Sequence, residues 1–416
     1  MKVLWTVNTL NPEIAGFFGI KSSHSISWIE AMSEKMILKN EIQLAIACSG
    51  NVKKILTLEH NGIIFYLVPN NNQKKYWKNV LDDFKPDIIH AYGTEKEHNL
   101  IISDISEEIP IIVSLQGILN EYQRHYYAGI DMSTIIRYTP IRDIIRPSGF
   151  ISGRKDFIKR AKKEIILLKK VKNVEGRSTW DRVSARKINP ELNYYFCPRM
   201  LREPFYISQK WNIDNIIRHT IFISQGNYPI KGFHFALQAL SQLKRKYPDV
   251  KLVITGDNFL HKVEGLKRLK ATGYQRYIYD LIKKMNLANN IKFIGHQDAM
   301  GMAEEMRKCH ITLLPSSIEN APNSLAEAMI LGVPSVVSYV GGNMDMITHN
   351  KEGFLYCYNE PNMIVEYVTR IFESDELACK FSKNSISKAE DVHDQTKLVE
   401  TLLDIYKKVI KNYNKY

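Results

Sequence analysis

Short apolar runs alternate with amphipathic stretches along the whole chain of 416 residues. Ten runs of mostly apolar residues have the length and composition of buried β-strands. They lie at 3–7, 42–48, 63–68, 87–92 and 111–116 in the first half, and at 221–226, 251–256, 291–296, 311–315 and 334–339 in the second. Nearly continuous apolar strands separated by helical stretches indicate parallel sheets covered on both faces. Two such series predict an α/β fold with two doubly wound, Rossmann-like domains.

The alternation breaks between residues 197 and 215, where neither the helical nor the strand period is sustained. We therefore predict a first domain at 1–205 and a second at 206–392. The last segment, 393–416, has apolar residues at helical spacing. They are Leu398, Leu402, Ile405, Val409 and Ile410. This segment predicts a helix that packs back on the first domain.

The composition excludes several classes of protein. A hydrophobic fraction of 44% and a charged fraction of 24% are ordinary for a globular protein. No apolar run approaches the roughly 18 to 20 residues of a membrane-spanning helix, and the start of the chain lacks a signal-peptide pattern. The five cysteines have no metal-ligand spacing, and their odd number argues against a disulfide framework. We expect buried thiols in a reducing cytosol.

The net charge of +13 is concentrated in one segment, residues 142–172. This segment contains eleven Lys or Arg and three Asp or Glu, a local charge of +8, with apolar residues interleaved. Such a pattern is typical of a basic amphipathic helix on an anionic membrane surface. The alternative is a solvated helix face packed on its own domain. No nucleic-acid recognition motif accompanies the charge, so we expect no nucleic acid as a partner.

The stretch "LLPSSIENAPNSLAEAMILGVPSVVSYVGG", residues 313–342, carries the strongest chemical signal. Pro322 predicts that a helix begins after it, with Asn323 or Ser324 as N-cap. A helix start at the carboxyl end of a parallel strand offers N–H groups and a positive dipole end. This arrangement suits the diphosphate or the sugar of a sugar nucleotide.

Two carboxylates in this stretch can have separate tasks. Glu319, in the loop before the helix, can reach sugar hydroxyls, whereas Glu327, within the helix, can accept hydrogen bonds from the paired hydroxyls of a ribose. Ser324 and Glu327 also fit the S-x-x-E capping box, in which the glutamate only closes its own helix. The motif alone leaves both interpretations open.

Two further loops add groups that suit phosphate. Gly341 and Gly342 follow the strand at 334–339, and a glycine pair lets the backbone approach a phosphate closely. A simple tight turn is the alternative. Lys231-Gly232 lies between the strand at 221–226 and a helix, where the ammonium can neutralise a leaving diphosphate.

Together these residues resemble the retaining glycosyltransferases of family four, which have the GT-B fold. The resemblance rests on Lys231-Gly232, Glu319-x7-Glu327, "EAMILGVPSVVS", Gly341-Gly342 and "EGFLY" at 352–356, and it covers most of residues 220–360. It implies two Rossmann-like domains facing a cleft, the first binding the acceptor and the second the nucleotide-sugar. The stretch 176–197 is similar to bacterial members that build capsular or exopolysaccharide chains.

The resemblance also implies roles for individual residues. Glu319 and Lys231 would be catalytic. The implied donor-binding residues are Glu327, Asn323, Ser324, Leu325, Gly341, Gly342, Asn227 and Gly19. The implied acceptor or cleft residues are Gly16, Gln116 and Arg177. His90, at the end of the run "DIIH", is a further candidate for the cleft mouth, with a structural role as its alternative. The stretch 120–130 groups aromatic and basic side chains, among them Tyr122 and His125, which suit a sugar or pyrophosphate head group near an active cleft; core packing is the alternative for the tyrosines. No D-x-D motif ends an apolar strand, so we expect no essential metal and no cofactor besides the nucleotide-sugar substrate.

Two positions depart from the family pattern. Gln116 stands where many relatives have a His, and no cation accompanies Gln225 and Asn227 where many have an Arg. They motivate an alternative hypothesis, a non-catalytic GT-B partner subunit that binds nucleotide or sugar in a polysaccharide assembly complex. A third is another GT-B enzyme, such as a sugar-nucleotide epimerase or a phosphorylase.

The first hypothesis predicts a cytoplasmic enzyme at the inner face of the membrane. It would move a hexose, with retention, from a nucleotide-sugar to a lipid-linked or polysaccharide acceptor. The pathway would be bacterial capsule, exopolysaccharide or O-antigen synthesis.

Overall fold

The computed structural model describes residues 1–20, 27–39, 41–141, 143, 149–263 and 265–414. The strands are β1 (Lys2–Thr6), β2 (Gln43–Gly50), β3 (Leu56–His60), β4 (Ile63–Pro69), β5 (Ile88–Tyr92), β6 (Ile111–Ser114), β7 (Asn173–Gly176), β8 (Asn193–Phe196), β9 (Ile217–Ile223), β10 (Lys251–Ile254), β11 (Ile291–Phe293), β12 (Cys309–Leu314), β13 (Ser335–Ser338) and β14 (Gly353–Tyr356). The helices are α1 (Pro12–Phe17), α2 (Ser27–Ile37), α3 (Gln73–Phe84), α4 (His98–Ile105), α5 (Leu119–Tyr122), α6 (Met132–Tyr138), α7 (Phe150–Lys170), α8 (Thr179–Ile188), α9 (Glu203–Ile207), α10 (Phe233–Lys246), α11 (Gly273–Lys284), α12 (Ala299–Lys308), α13 (Asn323–Leu331), α14 (Asn343–Met346), α15 (Pro361–Phe372), α16 (Asp375–Val392) and α17 (Gln395–Tyr413).

The strands form two sheets. The first has the order β3-β4-β2-β1-β5-β6-β7-β8, parallel except for the antiparallel pair of β3 and β4. The second has the order β11-β10-β9-β12-β13-β14 and is parallel throughout. The strand order reverses between β1 and β5 in the first sheet and between β9 and β12 in the second. Ligands of doubly wound sheets bind at such switch points, outside the carboxyl ends of the strands.

The described residues form two compact units that are not continuous in sequence. Unit 1 comprises 1–120, 159–202 and 393–416, and unit 2 comprises 121–158 and 203–392. The sequence places one boundary at 205, close to the junction at 202 and 203. It assigns residues 121–158 to the first domain, whereas their contacts in the structure are with unit 2.

The ten strands predicted from apolar runs are all present, and the prediction of a doubly wound α/β fold is confirmed. Strands β3, β7, β8 and β14 are additional. Strands β7 and β8 have the sequences "NVEG" and "NYYF", which are too short and too polar to stand out as buried strands. They extend the first sheet at its far edge.

The core of unit 1 contains the C-terminal helix α17. Its apolar stripe, with Leu398, Leu402 and Tyr406, is buried in one cluster with side chains of β1, β2 and α2. The Tyr406 hydroxyl accepts a hydrogen bond from Trp5 Nε1 at 2.9 Å. Helix α17 is therefore an integral part of unit 1.

The packing of helix α7 contradicts part of the prediction that the basic segment 142–172 lies on a membrane as an amphipathic helix. Arg142 and residues 144–148 lie outside the described residues. The apolar side chains Leu167 and Leu168 are buried in the core of unit 1, so this face of the helix is not available to a lipid. Two of the cations are engaged within unit 1, since Lys163 pairs with Glu97 at 2.5 Å and Lys170 pairs with Asp104.

Two further observations concern the cysteines and the helices. Cys48, Cys197 and Cys309 are buried thiols, but Cys357 and Cys379 are exposed, so the expectation that all five are buried is wrong. Within the described ranges, no helix is both long enough and apolar enough to cross a bilayer.

Candidate functional site

The switch point of the second sheet brings two predicted site residues together. Lys231 ends a short 3-10 helix, Pro229–Lys231, that follows β9, and Glu319 lies in the loop after β12. Because β9 and β12 are neighbours, these loops leave the sheet side by side. Lys231 Nζ donates a hydrogen bond to Glu319 Oε1 at 2.6 Å, and Ser316 Oγ donates to the same oxygen at 2.7 Å. The residues assigned to diphosphate and to sugar therefore form one ion pair.

This ion pair is largely removed from solvent. The side chains of Lys231 and Glu319 are 20% and 8% exposed. Burial alone would lower the pKa of Lys231, but the Glu319 charge, the nearby Tyr228 and the hydrogen bond to Glu319 outweigh burial and raise its pKa above the usual value. Lys231 is thus a fixed cation at neutral pH, and two of its three N–H donors lie outside the bond to Glu319.

Two glycines allow the loops to meet backbone to backbone. Gly232 has φ +67°, and a Cβ at this position would lie 1.8 Å from the carbonyl oxygen of Pro315. Gly341 has φ +50°, and a Cβ there would lie 1.8 Å from the carbonyl oxygen of Glu319. The N–H of Gly342 donates to that same oxygen at 3.1 Å. The Gly341-Gly342 turn is therefore built against Glu319, and a side chain at position 341 would displace it.

Helix α13 begins one residue earlier than predicted. Pro322 is its N-cap, with φ −71° and ψ 126°, and no side chain caps the helix. Asn323 and Ser324 precede the first N–H groups that bond within the helix, those of Leu325 and Ala326, which donate to the Pro322 carbonyl. The prediction of Asn323 or Ser324 as N-cap is wrong, because the extended Pro322 itself provides the first acceptor.

The capping-box interpretation of Glu327 is also excluded. With Pro322 as N-cap, the third helical residue is Leu325 and Glu327 is the fifth, two positions beyond the place that a capping box requires. Glu327 is 6% exposed. A nearly buried carboxylate one turn into the helix fits the ribose-binding interpretation, which stays a prediction.

A segment from the first half of the chain borders this site within unit 2. Ser317 Oγ donates a hydrogen bond to the His125 carbonyl at 3.1 Å, and the Tyr122 hydroxyl is close enough to Lys231 to affect its pKa. His234 Nε2 lies 2.9 Å from the carbonyl of Ala128, which has φ +49°. Tyr122 and His125, expected near an active cleft, thus lie beside the Lys231–Glu319 pair.

A cavity of about 240 Å³ lies at the carboxyl ends of β9, β10 and β11. Its wall is mixed polar and apolar. The residues that line it include Gln225, Asn227, Thr255, Phe259, His296 and Gln297. The structure therefore places Asn227, a predicted donor-binding residue, in the wall of this cavity. Asn227 belongs to the same loop after β9 as Lys231.

In unit 1, Gln116 and Arg177 come together. They follow the adjacent strands β6 and β7, and Arg177 Nη2 donates a hydrogen bond to the Gln116 carbonyl at 3.0 Å. Both residues are half-buried. The guanidinium of Arg177 thus lies beside the backbone of Gln116, the residue that stands where many relatives have a His.

His90 does not lie at a cleft mouth. It has no exposed surface, and its Nδ1 is 2.7 Å from the Tyr406 hydroxyl while its Nε2 is 3.6 Å from Glu175 Oε2. Burial lowers the pKa of His90, more than the adjacent Glu175 raises it. The alternative interpretation of His90 as a structural residue fits this geometry.

Gly16 and Gly19 lie near the switch point of the first sheet, but not in one open loop. Gly16 is in the last turn of α1, a helix capped by Asn11, whose side chain accepts from the N–H of Ile14 at 2.7 Å. Gly19 has φ +70°, and its N–H donates to the Gly16 carbonyl at 2.9 Å. Both glycines are exposed.

Sequence reasoning missed Ser316 and Ser317, which hold Glu319 and the His125 backbone in place. Their position directly after β12, in the run "PSSIEN", is a usable signal because loops at strand ends carry sites. Nothing local in "NEYQRHYYAGI", residues 120–130, indicates that it packs in unit 2. Its anchors Ser317 and His234 are more than 100 residues away.

Comparisons with known proteins show similarity to glycosyltransferases. Residues 208–388 match the family described as "Glycosyl transferases group 1". Similar curated proteins include an uncharacterised glycosyltransferase of Haemophilus influenzae, 27% identical over 39% of this chain, and spore coat protein SA of Bacillus subtilis, 25% identical over 43%. A third, 26% identical over 40% of this chain, is named UDP-Gal:α-D-GlcNAc-diphosphoundecaprenol α-1,3-galactosyltransferase, from Escherichia coli. The matches span 42%, 46% and 38% of these relatives' lengths.

The whole chain is similar in fold to solved glycosyltransferase structures. Sucrose-phosphate synthase of Thermosynechococcus elongatus superposes with a TM-score of 0.74 at 12% identity, over 99% of this chain and 100% of that one. Anabaena HepE in complex with UDP-glucose superposes with a TM-score of 0.69 at 15% identity, over 98% and 100%. The GT-B fold and the resemblance to glycosyltransferases are thus confirmed, while the capsular or exopolysaccharide type stays a prediction.

Proposed function

We propose that this chain is a retaining glycosyltransferase that moves a hexose from a nucleotide-sugar to a lipid-linked or polysaccharide acceptor. The observation that carries the proposal is the buried Lys231–Glu319 pair at the switch point of the second sheet. The pair places a fixed cation and a carboxylate at the edge where doubly wound domains bind nucleotides. Relatives named glycosyltransferases and a neighbour structure with UDP-glucose support it.

In this proposal the donor diphosphate lies against Lys231 and the start of α13. Two ammonium donors of Lys231, the N–H groups at Asn323, Ser324 and Leu325 and the Gly341-Gly342 turn provide hydrogen bonds to its oxygens. These donors are held in place before the reaction and therefore stabilise the charge that develops on the leaving diphosphate. No metal is needed for this neutralisation.

The remaining parts of the donor have complementary surroundings in unit 2. Glu327 holds the ribose diol through two hydrogen bonds, and Glu319 contacts the hydroxyls of the transferred sugar. The nucleobase enters the cavity that Gln225, Asn227 and their neighbours line. The amides of this cavity can pair with base edges, which the mixed polar wall favours.

The chemical step breaks the bond between the anomeric carbon and the diphosphate oxygen and forms a bond from the same face to an acceptor hydroxyl. The departing oxygen takes the acceptor proton, so the nucleoside diphosphate leaves with the bonding electron pair. Lys231 balances its negative charge. In this scheme Glu319 orients the sugar and keeps Lys231 in position.

The acceptor and the membrane location are inferred from one relative and from surface charge. The Escherichia coli relative is named for a diphosphoundecaprenol-linked substrate, which favours a lipid-linked saccharide here, in bacterial capsule, exopolysaccharide or O-antigen synthesis. Arg177 beside Gln116 is a candidate contact for an acceptor phosphate. Exposed Lys155, Lys159 and Lys162 on α7 attract an anionic, cytoplasmic membrane surface.

The test is a binding and transfer assay with UDP-, GDP- and ADP-sugars on the wild type and on two charge-neutral variants. Glu327→Gln should weaken binding of the bare nucleoside diphosphate by about 1–3 kcal/mol, because ribose remains in that ligand. Glu319→Gln should reduce transfer without weakening nucleoside diphosphate binding, since the sugar is absent from that ligand and Lys231 loses a competing carboxylate. Exposed Glu366 on α15 provides a matched Glu→Gln control.

The same assay separates the rival functions. Donor binding without hydrolysis or transfer above the Glu319→Gln background would favour the non-catalytic partner subunit. Epimerisation of the donor without an acceptor would favour a sugar-nucleotide epimerase. If Glu327→Gln and Glu366→Gln bind all nucleotides equally well, the ribose role of Glu327 is wrong.

A further inference from the structure

Unit 2 carries an exposed apolar patch that the proposed donor site does not use. Ile136 on α6, Ile141 just after it and Leu269 in the 3-10 helix Gly265–Lys270 are 66%, 80% and 69% exposed. Met132, one helical turn before Ile136, is 54% exposed. Single exposed apolar residues are ordinary, but several large ones in one region mark an interaction surface.

Asp280 of α11 links the two elements that carry these apolar residues, α6 and the 3-10 helix Gly265–Lys270. Its Oδ2 accepts hydrogen bonds from the Tyr138 hydroxyl of α6 at 3.0 Å and from Arg268 Nη2 at 2.9 Å, and its Oδ1 accepts from Arg268 Nη1 at 3.0 Å. The rings of Tyr138 and Tyr277 also pack edge to face, 5.4 Å apart. Tyr138 ends α6 and Arg268 adjoins Leu269 in the sequence, so Asp280 joins the two segments that carry these exposed side chains.

Exposed cations lie on the same segments as these apolar side chains. Arg137 follows Ile136 directly, and Lys270 follows Leu269. Lys283 and Lys284 lie three and four residues after Asp280 on α11, which places them one turn further along the same face. The charge of Asp280 is balanced by Arg268. Asp131, the N-cap of α6, is a separate acidic group at the opposite end of that helix.

We propose that this patch, Ile136, Ile141 and Leu269 with Arg137, Lys270, Lys283 and Lys284, docks unit 2 on an anionic lipid bilayer. Large apolar side chains rimmed by cations match the interface of such a bilayer, where the apolar groups enter the acyl boundary and the cations meet the headgroups. On α7, by contrast, Leu167 and Leu168 are buried in unit 1 and cannot enter a bilayer.

This inference rests on the proposed function only in that a lipid-linked acceptor requires the enzyme at a membrane. The test is co-sedimentation with vesicles of phosphatidylglycerol and phosphatidylcholine, or of phosphatidylcholine alone. The variant Ile136→Ser/Ile141→Ser removes apolar area without changing charge. The control Ile207→Ser/Ile217→Ser removes two isoleucines of unit 2 that are 66% and 59% exposed elsewhere, on α9 and on β9.

We expect the wild type and the control to bind the anionic vesicles, and the patch variant to bind about tenfold or more weakly, since two side chains no longer enter the acyl boundary. A second measurement places a reporter in the patch. The tryptophan fluorescence of Ile136→Trp should be quenched by brominated lipid, whereas that of Ile207→Trp should not be. Nucleotide-sugar binding in the absence of vesicles should be the same in all these variants.

Equal vesicle binding by the patch variant and the control would overturn the proposal, as would a wild type that binds no vesicles. Self-association of the wild type that the patch variant abolishes, without vesicle binding, would assign the patch to a second copy of the chain and also overturn it. The proposed catalytic function fails separately, if the wild type binds vesicles but no nucleotide-sugar.

Discussion

Lys231 and Glu319 share one environment although 88 positions separate them in the sequence. In the proposed function the lysine binds a diphosphate and the carboxylate binds sugar hydroxyls. In the structure the two side chains also form an ion pair that is largely buried. Removing a single member of such a pair leaves an uncompensated charge, which costs more stability than the pair itself contributes.

A double-mutant cycle should reveal this coupling. Lys231→Met should lower the free energy of unfolding by about 3 kcal/mol, and Glu319→Gln should also lower it. The double variant should lose less than the sum, because neither charge is left alone. Urea unfolding of the four proteins measures the coupling energy.

The control is the pair of Lys308 and Glu305 on α12, which is 3.1 Å apart but 45% and 24% exposed. An exposed pair one turn apart should couple by only about 0.5 kcal/mol. If the Lys231–Glu319 cycle gives a coupling energy no larger than this, burial does not strengthen the coupling between the two charges.

The residues of the site could be chosen from sequence because glycine, proline and carboxylate positions follow recognisable strands. Their partners could not be chosen, since a hydrogen bond such as the one from Ser317 to the His125 carbonyl depends on how distant segments pack. His90 illustrates the opposite error. A polar residue near a strand end suggests a site, but only the packing of α17 reveals that it is enclosed.

At the scale of elements, helix starts illustrate how one residue changes an interpretation. The S-x-x-E pattern of Ser324 and Glu327 is a valid capping-box signature, yet Pro322 takes the N-cap position and shifts the register. Helix α11 shows the real motif in the same unit. Thr272 Oγ1 accepts from the N–H of Gln275 at 3.3 Å, and Gln275 Oε1 accepts from the N–H of Thr272 at 2.9 Å.

Two alanine substitutions should therefore differ. Thr272→Ala removes a side-chain cap and should cost about 1 kcal/mol of unfolding free energy. Ser324→Ala removes a hydroxyl that caps nothing and should change stability by less than about 0.5 kcal/mol. Chemical denaturation of both variants measures the difference. A loss at Ser324 equal to that at Thr272 would reinstate the capping-box interpretation.

Burial also decides which strands can be predicted from the sequence. Interior strands such as β5 and β12 are buried along their whole length and must be apolar, so the sequence reveals them. The edge strand β8 has one neighbour and half-exposed side chains, so its composition is not constrained in this way. Helix α1 was missed because it is short and contains a glycine, which favours a loop in any local reading.

At the scale of the whole molecule, the assignment of residues 121–158 to unit 2 could not come from a linear reading. The segment is connected on both sides to unit 1 elements, yet its polar anchors are in unit 2. The Asp143 carboxylate accepts a hydrogen bond from the N–H of Gly273 at 2.6 Å, and the His234 ring meets the Ala128 carbonyl. A single domain boundary in the sequence cannot describe a segment of one unit that lies between two segments of the other.

Both units also bury histidines whose charge is suppressed. Burial lowers the pKa of His98 in unit 1 to about 3, and the pKa values of His234 and His310 in unit 2 to about 4. His310 is an extreme case, because neither ring nitrogen has a hydrogen-bond partner among the described residues and the ring stacks on Phe372 at 4.7 Å. Glu164 acts in the opposite direction, since burial raises its pKa to about 7.

The sign of the pH dependence follows from proton binding. Between pH 6.5 and about 4 these three histidines are protonated in the unfolded chain but neutral in the folded one, so the unfolded state binds three more protons. Glu164 subtracts one proton, because between pH 4.5 and 7 it is protonated only in the folded state. For these four groups alone, the net difference of two protons makes stability fall by about 3 kcal/mol per pH unit as the pH decreases from 6.5 to 4.5.

His310 allows this dependence to be tested at one position. A leucine there has no polar atoms to leave unpaired and no proton to bind, so His310→Leu should be at least as stable as the wild type at pH 7.5. At pH 5 its advantage should grow by about 2 kcal/mol, the cost of keeping a group with a folded pKa of about 4 and an unfolded pKa of 6.5 neutral. Urea unfolding at both pH values measures the two differences. An advantage that is the same at pH 5 and pH 7.5 would mean that His310 gains its proton in the folded protein as readily as in the unfolded chain, which its burial against Phe372 argues against.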